Sequence, residues 1–245
     1  MSYRQELETA KKAALAAGQI LIEQKNNLNK SIFSSNTDIK LEADIVAEKL
    51  IKEILSDETS FPILAEESGQ SSDQLSDIFW VVDPLDGTAN YSRNIPICCV
   101  SIALIKNMEP VLGVIYDFSN NDLYEGSVNT SAMQNGLEIK VSDISNQGEG
   151  ILITGLPNKT DYSDEALLKM VKDFQGWRKV RMIGSAAIGS VYIASGKADV
   201  YKESRTYFWD VAAGAAIVQA AGGTALIANQ NEDFQVDVYF SNSRI

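Results

Sequence analysis

The residues Ile78-Phe79-Trp80-Val81-Val82 are apolar without a break, and Asp83-Pro84 stops them. A run with no polar alternation reads as a buried strand that ends in a loop. Further β-like runs follow at Cys98 to Ile105, Val111 to Tyr116, Asp122 to Glu125, Glu138 to Val141 and Gly150 to Thr154. Turn-forming pieces such as Ser119-Asn120-Asn121 and Asn135-Gly136 part them, as in a meandering antiparallel sheet. Upstream, Tyr3 to Gln24 is alanine-rich, with Leu7, Ala10, Ala14, Ala17 and Leu21 at helical spacing. After a polar stretch from Asn26 to Thr37, Ile45, Val46, Leu50, Ile54 and Leu55 form a second apolar stripe, with Asp44 and Glu48 on one helix face. From Ser163 onward helix and strand patterns alternate: a helix to about Asp173, another at Ala186 to Ala194, a strand at Ala198 to Tyr201, and a helix from Trp209 to Ala221. The composition shifts near residue 145, so the expected single domain, 1–245, divides into approximate sub-domains 1–145 and 146–245 sharing one core.

Composition narrows the chemistry. The 245 residues are 45% hydrophobic, enough for a substantial core, and 21 basic against 33 acidic side chains leave a net charge of −12. That balance argues against nucleic-acid polymers as partners. Histidine is absent, which removes Ser-His-Asp hydrolases, Cys-His proteases and histidine-ligated zinc sites. The two cysteines, Cys98 and Cys99, are neighbours in an apolar run and read as buried thiols, as expected of a cytoplasmic protein. No stretch reads as a secretory signal or a transmembrane span.

The chemistry that remains rests on carboxylates. In Asp83-Pro84-Leu85-Asp86-Gly87-Thr88-Ala89-Asn90 a buried strand delivers one carboxylate, and a second follows three residues later beside a glycine. Carboxylates that face one small volume repel each other unless protons or a hard cation such as Mg²⁺ intervene. If a helix starts at Gly87-Thr88, its first amides favour a phosphate. An Asp-x-x-Asp spacing also fits an ordinary acidic turn, and Asp210 equally fits an acid meeting a helix macrodipole. Leu64-Ala65-Glu66-Glu67-Ser68-Gly69 adds paired glutamates after another apolar run.

Together, Asp44-Ile45-Val46-Ala47-Glu48, Glu66-Glu67-Ser68, Asp83 to Asn90, Gly184-Ser185-Ala186-Ala187 and Trp209-Asp210-Val211-Ala212-Ala213-Gly214 resemble, in order and separation, the inositol monophosphatase family of lithium-sensitive Mg²⁺-dependent phosphatases. The resemblance covers nearly the whole chain. It implies a layered α/β (α+β) sandwich of alternating helix and sheet layers: a helical pair on a large antiparallel sheet, then a smaller mixed sheet with helices, and the site in the cleft between. It implies two Mg²⁺ ions, one held by Glu66, Asp83 and the Leu85 carbonyl, the other by Asp83, Asp86 and Asp210, with a third, looser ion near Glu66. Thr88, Asp44 and Glu66 would be catalytic, with Thr88 orienting the attacking water and Asp44 behind it, and Glu67 standing alongside. Substrate would lie against Leu85, Asp86, Gly87, Thr88, Gly184, Ser185, Ala186 and Asp210, with Glu203 reading its hydroxyls. Homodimerisation is the family's habit.

The substrate implied is a small polyol or sugar phosphate, first of all inositol monophosphate. Adenosine 3′,5′-bisphosphate, fructose 1,6-bisphosphate and histidinol phosphate stay open, as does a catalytically silent metal or phosphate sensor that binds a partner protein. Haloacid-dehalogenase phosphatases are set aside because their two aspartates are separated by one residue, whereas two intervene here. The chain departs from the family at Lys40, Leu41 and Glu42 and in the uncharged Ser31 to Thr37, which bears on the loop expected to gather the third ion.

Overall fold

The computed structural model describes residues 3–35, 39–72, 75–156 and 161–245. The chain begins with helices α1 (Arg4–Glu23) and α2 (Lys25–Leu28), a hairpin of β1 (Ser31–Ser34) and β2 (Ile39–Leu41), and helix α3 (Glu42–Glu58). Strands β3 (Ile63–Ala65), β4 (Gly69–Gln70) and β5 (Ile78–Asp86) lead into the short helix α4 (Thr88–Ser92). The meander follows as β6 (Cys99–Lys106), β7 (Glu109–Asp117), β8 (Asp122–Ser127), β9 (Met133–Gln134) and β10 (Leu137–Glu138). The remainder is β11 (Ile151–Thr154), α5 (Asp164–Phe174), β12 (Lys179–Arg181), α6 (Ala186–Ala194), β13 (Val200–Tyr207), α7 (Phe208–Ala220), β14 (Thr224–Ala228) and β15 (Gln235–Ser241).

Among the described residues the strands build an eight-stranded sheet, in the order β10-β9-β8-β7-β6-β5-β3-β4, and a five-stranded sheet, β12-β11-β13-β15-β14. The large sheet is antiparallel except where β3 runs parallel to β5, and the small one is mixed. Helices α1 and α3 cover one face of the large sheet, and α7 packs on the other while also touching the small sheet. The layers therefore alternate as the resemblance implied. No described helix is long and apolar enough to cross a membrane.

Small side chains set the layer spacing. In α1 the buried stripe is Ala10, Ala13, Ala14, Ala17 and Leu21, which lets the helix lie close against the sheet. Against α7 the approach is closer still: a Cβ on Gly113 of β7 would stand 2.1 Å from the Ala213 carbonyl oxygen, and one on Gly214 would stand 2.3 Å from the Ser190 Cβ of α6. Glycine at these two places is what permits backbone to meet backbone.

Three local expectations are corrected. The buried face of α3 is Ala43, Asp44, Ala47, Glu48, Ile51 and Leu55, whereas Ile45, placed in the apolar stripe, is 46% exposed. Two carboxylates can face inward because backbone amides receive them, Leu41 N–H on Asp44 at 2.7 Å and Glu67 N–H on Glu48 at 2.8 Å. The strand read from Glu138 to Val141 shrinks to Leu137–Glu138, since the amides of Ile139 and Val141 bond to the carbonyls of Ala132 and Ala221 outside the ladder. The strand read as ending at Tyr201 continues to Tyr207 through a bulge between Glu203 and Thr206. Thr37 and Asp38, in the segment that departs from the family, lie outside the described residues.

Replacing Gly113 by alanine is expected to destabilise the fold by about 2 kcal/mol or more, because the new methyl meets a carbonyl that only a shift of α7 can clear. The urea midpoint of unfolding at constant m-value measures it.

Candidate active site

The site begins at an irregularity in β5. Asp83 pairs with Ser101 and Asp86 with Cys99, so three steps along β5 match two along β6. The extra residue is a bulge, and it houses Pro84, which has no N–H to give to a ladder. The strand therefore does not stop at Val82 as its sequence suggested; it carries both aspartates through the bulge and ends at Asp86. Gly87 then takes φ 88°, where a Cβ would also come within 2.7 Å of the Ile97 carbonyl oxygen, and Thr88 opens α4.

Four carboxylates line one cavity of about 500 Å³: Asp83 and Asp86 from β5, Glu66 from just past β3, and Asp210 from the first turn of α7. Leu85, Gly87 and Thr88 also line it. Three of these acids, Asp83, Asp86 and Asp210, are fixed by neutral donors. Asp83 Oδ1 accepts from the Leu85 amide at 3.0 Å. Asp86 Oδ2 accepts from the Ser185 hydroxyl and, at 2.8 Å, from the Ala187 amide, with the Cys99 thiol 3.8 Å away. Asp210 Oδ2 accepts from the Thr206 hydroxyl at 2.9 Å and the Tyr207 amide at 3.1 Å.

Burial raises every one of these acids, and repulsion adds to it for Glu66, Asp83 and Asp210. Desolvation is the largest cause throughout; Asp210 adds to it for Glu66, Glu66 and Asp86 add to it for Asp83, and Asp86 adds to it for Asp210, which rises to about 8. Asp86 rises through burial even though Ser185 and Ala187 oppose the shift. Such a set cannot all ionise unless a cation is supplied, and its oxygens, with the Leu85 carbonyl, are the hard donors that suit Mg²⁺. The residues fit a divalent ion in composition and placement. They do not form a finished cage: among the described residues no three His, Cys, Asp or Glu side chains are drawn close enough to hold an ion.

Behind this cluster, the Thr88 hydroxyl lies 2.9 Å from Asp44 Oδ1 and 3.0 Å from the Leu85 carbonyl. Asp44 is buried, and desolvation lifts its pKa to about 6. Glu67 points away from the cluster and pairs with Lys40 at 2.9 Å, so Lys40, a departure from the family, ties the β1-β2 hairpin to the neighbour of Glu66.

On the other side Glu203 lines a smaller space of about 250 Å³ together with Asp86, Gly184, Ser185, Ala186 and Asp210. The Tyr201 hydroxyl donates to its Oε2 at 3.0 Å, and burial raises Glu203 to about 7. Gly155 makes room for it, since a Cβ there would sit 2.4 Å from the carboxylate. Ser185, expected at the substrate border, gives its hydroxyl to Asp86 and caps α6 through the Ile188 amide at 3.2 Å.

Sequence reasoning missed several supports. Asn90 lay inside the motif without a role; its amide reaches the carbonyls of Ile97 and Ile183 at 2.8 Å and of Gly184 at 3.2 Å, binding the α4 turn to the loop that delivers Ser185. Gly155, Tyr201 and Thr206 carried no signal, because each acts through a neighbour distant in sequence or in a strand that looked too polar to continue.

The site is thus an acid cluster at a bulged strand end, backed by a threonine on a buried aspartate. The sequence model of the inositol monophosphatase family matches residues 2–244, and the chain belongs to that family. A relative named Nus factor SuhB, from Xylella fastidiosa, is 39% identical over 216 residues, covering 86% of this chain and 78% of its own. A fructose-1,6-bisphosphatase/inositol-1-monophosphatase from Aquifex aeolicus is 34% identical, covering 91% of this chain and 86% of its own. The solved inositol monophosphatase of Anabaena superposes with a TM-score of 0.87 at 32% identity, over 100% of this chain and 93% of that one.

The raised acids make a pH prediction for metal-free protein. Asp44, Glu203 and Asp210 have folded values of about 6, 7 and 8 against ordinary values of 3.8, 4.5 and 3.8. A folded value above the unfolded one means that the fold favours the protonated form. This stabilising contribution is full below the ordinary values and is lost as pH rises through about 6 to 8. Melting temperatures in EDTA are expected to fall between about pH 5 and pH 8, and added Mg²⁺ is expected to flatten that decline. Melts of equal slope with and without Mg²⁺ would contradict the electrostatic account.

Proposed function

We propose that this chain hydrolyses the phosphate monoester of a small polyol or sugar, inositol monophosphate first among them, by attack of water at phosphorus. The observation that carries the reading is the Thr88 hydroxyl held 2.9 Å from buried Asp44 at the edge of the carboxylate cavity. A pure binding site has no need of a hydroxyl linked to a basic carboxylate.

Glu66, Asp83 and the Leu85 carbonyl would hold one Mg²⁺, Asp83, Asp86 and Asp210 a second, and the surroundings of Glu66 a looser third. Bound there, the ions would supply Lewis acidity toward water and the phosphoryl oxygens and invert the field of an acidic protein. The protein's own groups do the rest. Thr88 takes a proton from the attacking water as it passes its own hydroxyl proton to Asp44 Oδ1, a stronger acceptor than an ordinary carboxylate because burial lifts its pKa to about 6, and solvent water protonates the departing alkoxide. The amides of Gly87 and Thr88 face the phosphate. Glu203 accepts from hydroxyls of the alcohol, and Gly184 to Ala186 border it on the opposite side. No histidine is required.

The printed name of the Aquifex relative keeps fructose 1,6-bisphosphate in view as a second ester. The name Nus factor on several relatives supports a further reading, in which the fold serves a partner protein and catalysis is secondary or silent. The Thr88–Asp44 pair favours the enzyme.

The deciding assay is phosphate release from inositol 1-phosphate, fructose 1,6-bisphosphate, adenosine 3′,5′-bisphosphate and histidinol phosphate, with Mg²⁺, with EDTA and with Li⁺. Turnover is expected only with Mg²⁺, and Li⁺ is expected to inhibit it. Thr88→Ala should lower kcat by about a hundredfold with little change in KM. Asp83→Asn should abolish the response to Mg²⁺. Folded, Mg²⁺-loaded protein that releases phosphate from none of the esters would leave the partner-binding reading.

A further inference from the structure

A second cavity opens beyond Glu203. The space beside the carboxylates and a larger one of about 630 Å³ between α5 and the small sheet share Thr154, Gly155, Leu156 and Glu203 as walls. Glu203 thus stands at the junction of two rooms, with the acid cluster on one side only. The far room is mostly apolar. From α5 it takes Ala166, Met170 and Phe174, spaced by four and so on one helix face, and from the small sheet Val238 and Tyr239. Helix α5 has an apolar face but no fully buried side chain, so packing leaves that face open over the cavity.

The charges on this wall do not suggest a second phosphate. Lys202 pairs with Asp173 at 2.6 Å and lies over the Trp177 ring, while Asp237 receives the Asn229 amide at 2.7 Å and the Arg205 N–H at 3.0 Å. Lys169 stands at the exposed edge. A room with paired charges and an apolar lining binds by displacing water from apolar surface. A bare polyol ring would fill the smaller space next to Asp86 and Asp210 and leave this one empty.

Resting on the phosphomonoesterase reading, we propose that the cavity under α5 receives an apolar or aromatic arm of the ester's alcohol, so that a phosphomonoester carrying such an arm is turned over more efficiently than the same kind of ester without it. Glu203 reads hydroxyls at the threshold, and Ala166, Met170 and Phe174 set specificity beyond it. Ala166 is the smallest of the three, so a larger side chain there takes up the most space in the cavity.

The test uses the full chain with Mg²⁺ and pairs of esters that differ in the arm. Ethyl phosphate against 2-phenylethyl phosphate asks about an aryl arm, and glycerol 2-phosphate against adenosine 2′-monophosphate asks about a planar base. A gain in kcat/KM of about tenfold or more for the ring-bearing member of either pair, carried by KM, is expected. Ala166→Trp, which fills the cavity, should remove that gain while leaving the constants for the ring-free ester within about twofold. Should that variant fold poorly, Leu226→Lys at the exposed rim replaces it. Equal kcat/KM within both pairs, or an equal loss on both members from the variant, overturns the proposal and leaves the phosphatase reading intact. No hydrolysis of any ester overturns both.

Discussion

Carboxylates placed together out of water repel, and the arrangement of this molecule follows from how that repulsion is contained. Asp83 and Asp86 come from one bulged strand, Glu66 from the end of a strand parallel to it, and Asp210 from the first turn of α7. The three aspartates are fastened by neutral donors, so their position is fixed without the charge being cancelled. A lysine at the centre would have satisfied the acids and closed the site to a metal. The lysine that comes near, Lys40, is engaged with Glu67 instead.

The layers exist to bring those element ends to one place. Helix α7 can deliver Asp210 beside β5 because it lies almost in contact with the backbone of β7, which Gly113 allows, and close against α6, which Gly214 allows. Asp86 in turn anchors the start of α6 through Ser185 and Ala187, and Asn90 ties the turn after β5 to the loop before α6. Stability and chemistry therefore share residues, and a substitution that loosens the packing of α7 also displaces an acid.

Much of this was legible in the chain. The strand-rich middle, the long first helix, the alternation after Ser163 and the acid-bearing motifs are local patterns, and local patterns survive in sequence. The errors fell where a distant partner decided the outcome. Ile45 read as part of the buried stripe of α3 and proved to be exposed, because Asp44 and Glu48 take the inward face, where the amides of Leu41 and Glu67 receive them. The Asp83-Pro84 step read as the end of a strand and proved to be a bulge, because β6 continues beside it. The strand read as ending at Tyr201 proved to run on to Tyr207, held by β15.

By itself the sequence determined which chemistries are open: a chain without histidine, rich in acids and carrying Asp83-Pro84-Leu85-Asp86-Gly87-Thr88, is left with carboxylates, a hydroxyl and a cation. It also carried enough ordered motifs to identify a family. The resemblance implied that Glu66 and Asp210 join Asp83 and Asp86; only the tertiary structure decided which neutral donors hold the aspartates, that Gly155 yields space to Glu203, and that an apolar room continues past that carboxylate. The reason is distance. Residue type and short-range spacing are written along the chain, whereas repulsion, desolvation and cavity shape depend on groups many residues apart, and these meet only once the two sheets have closed on α7.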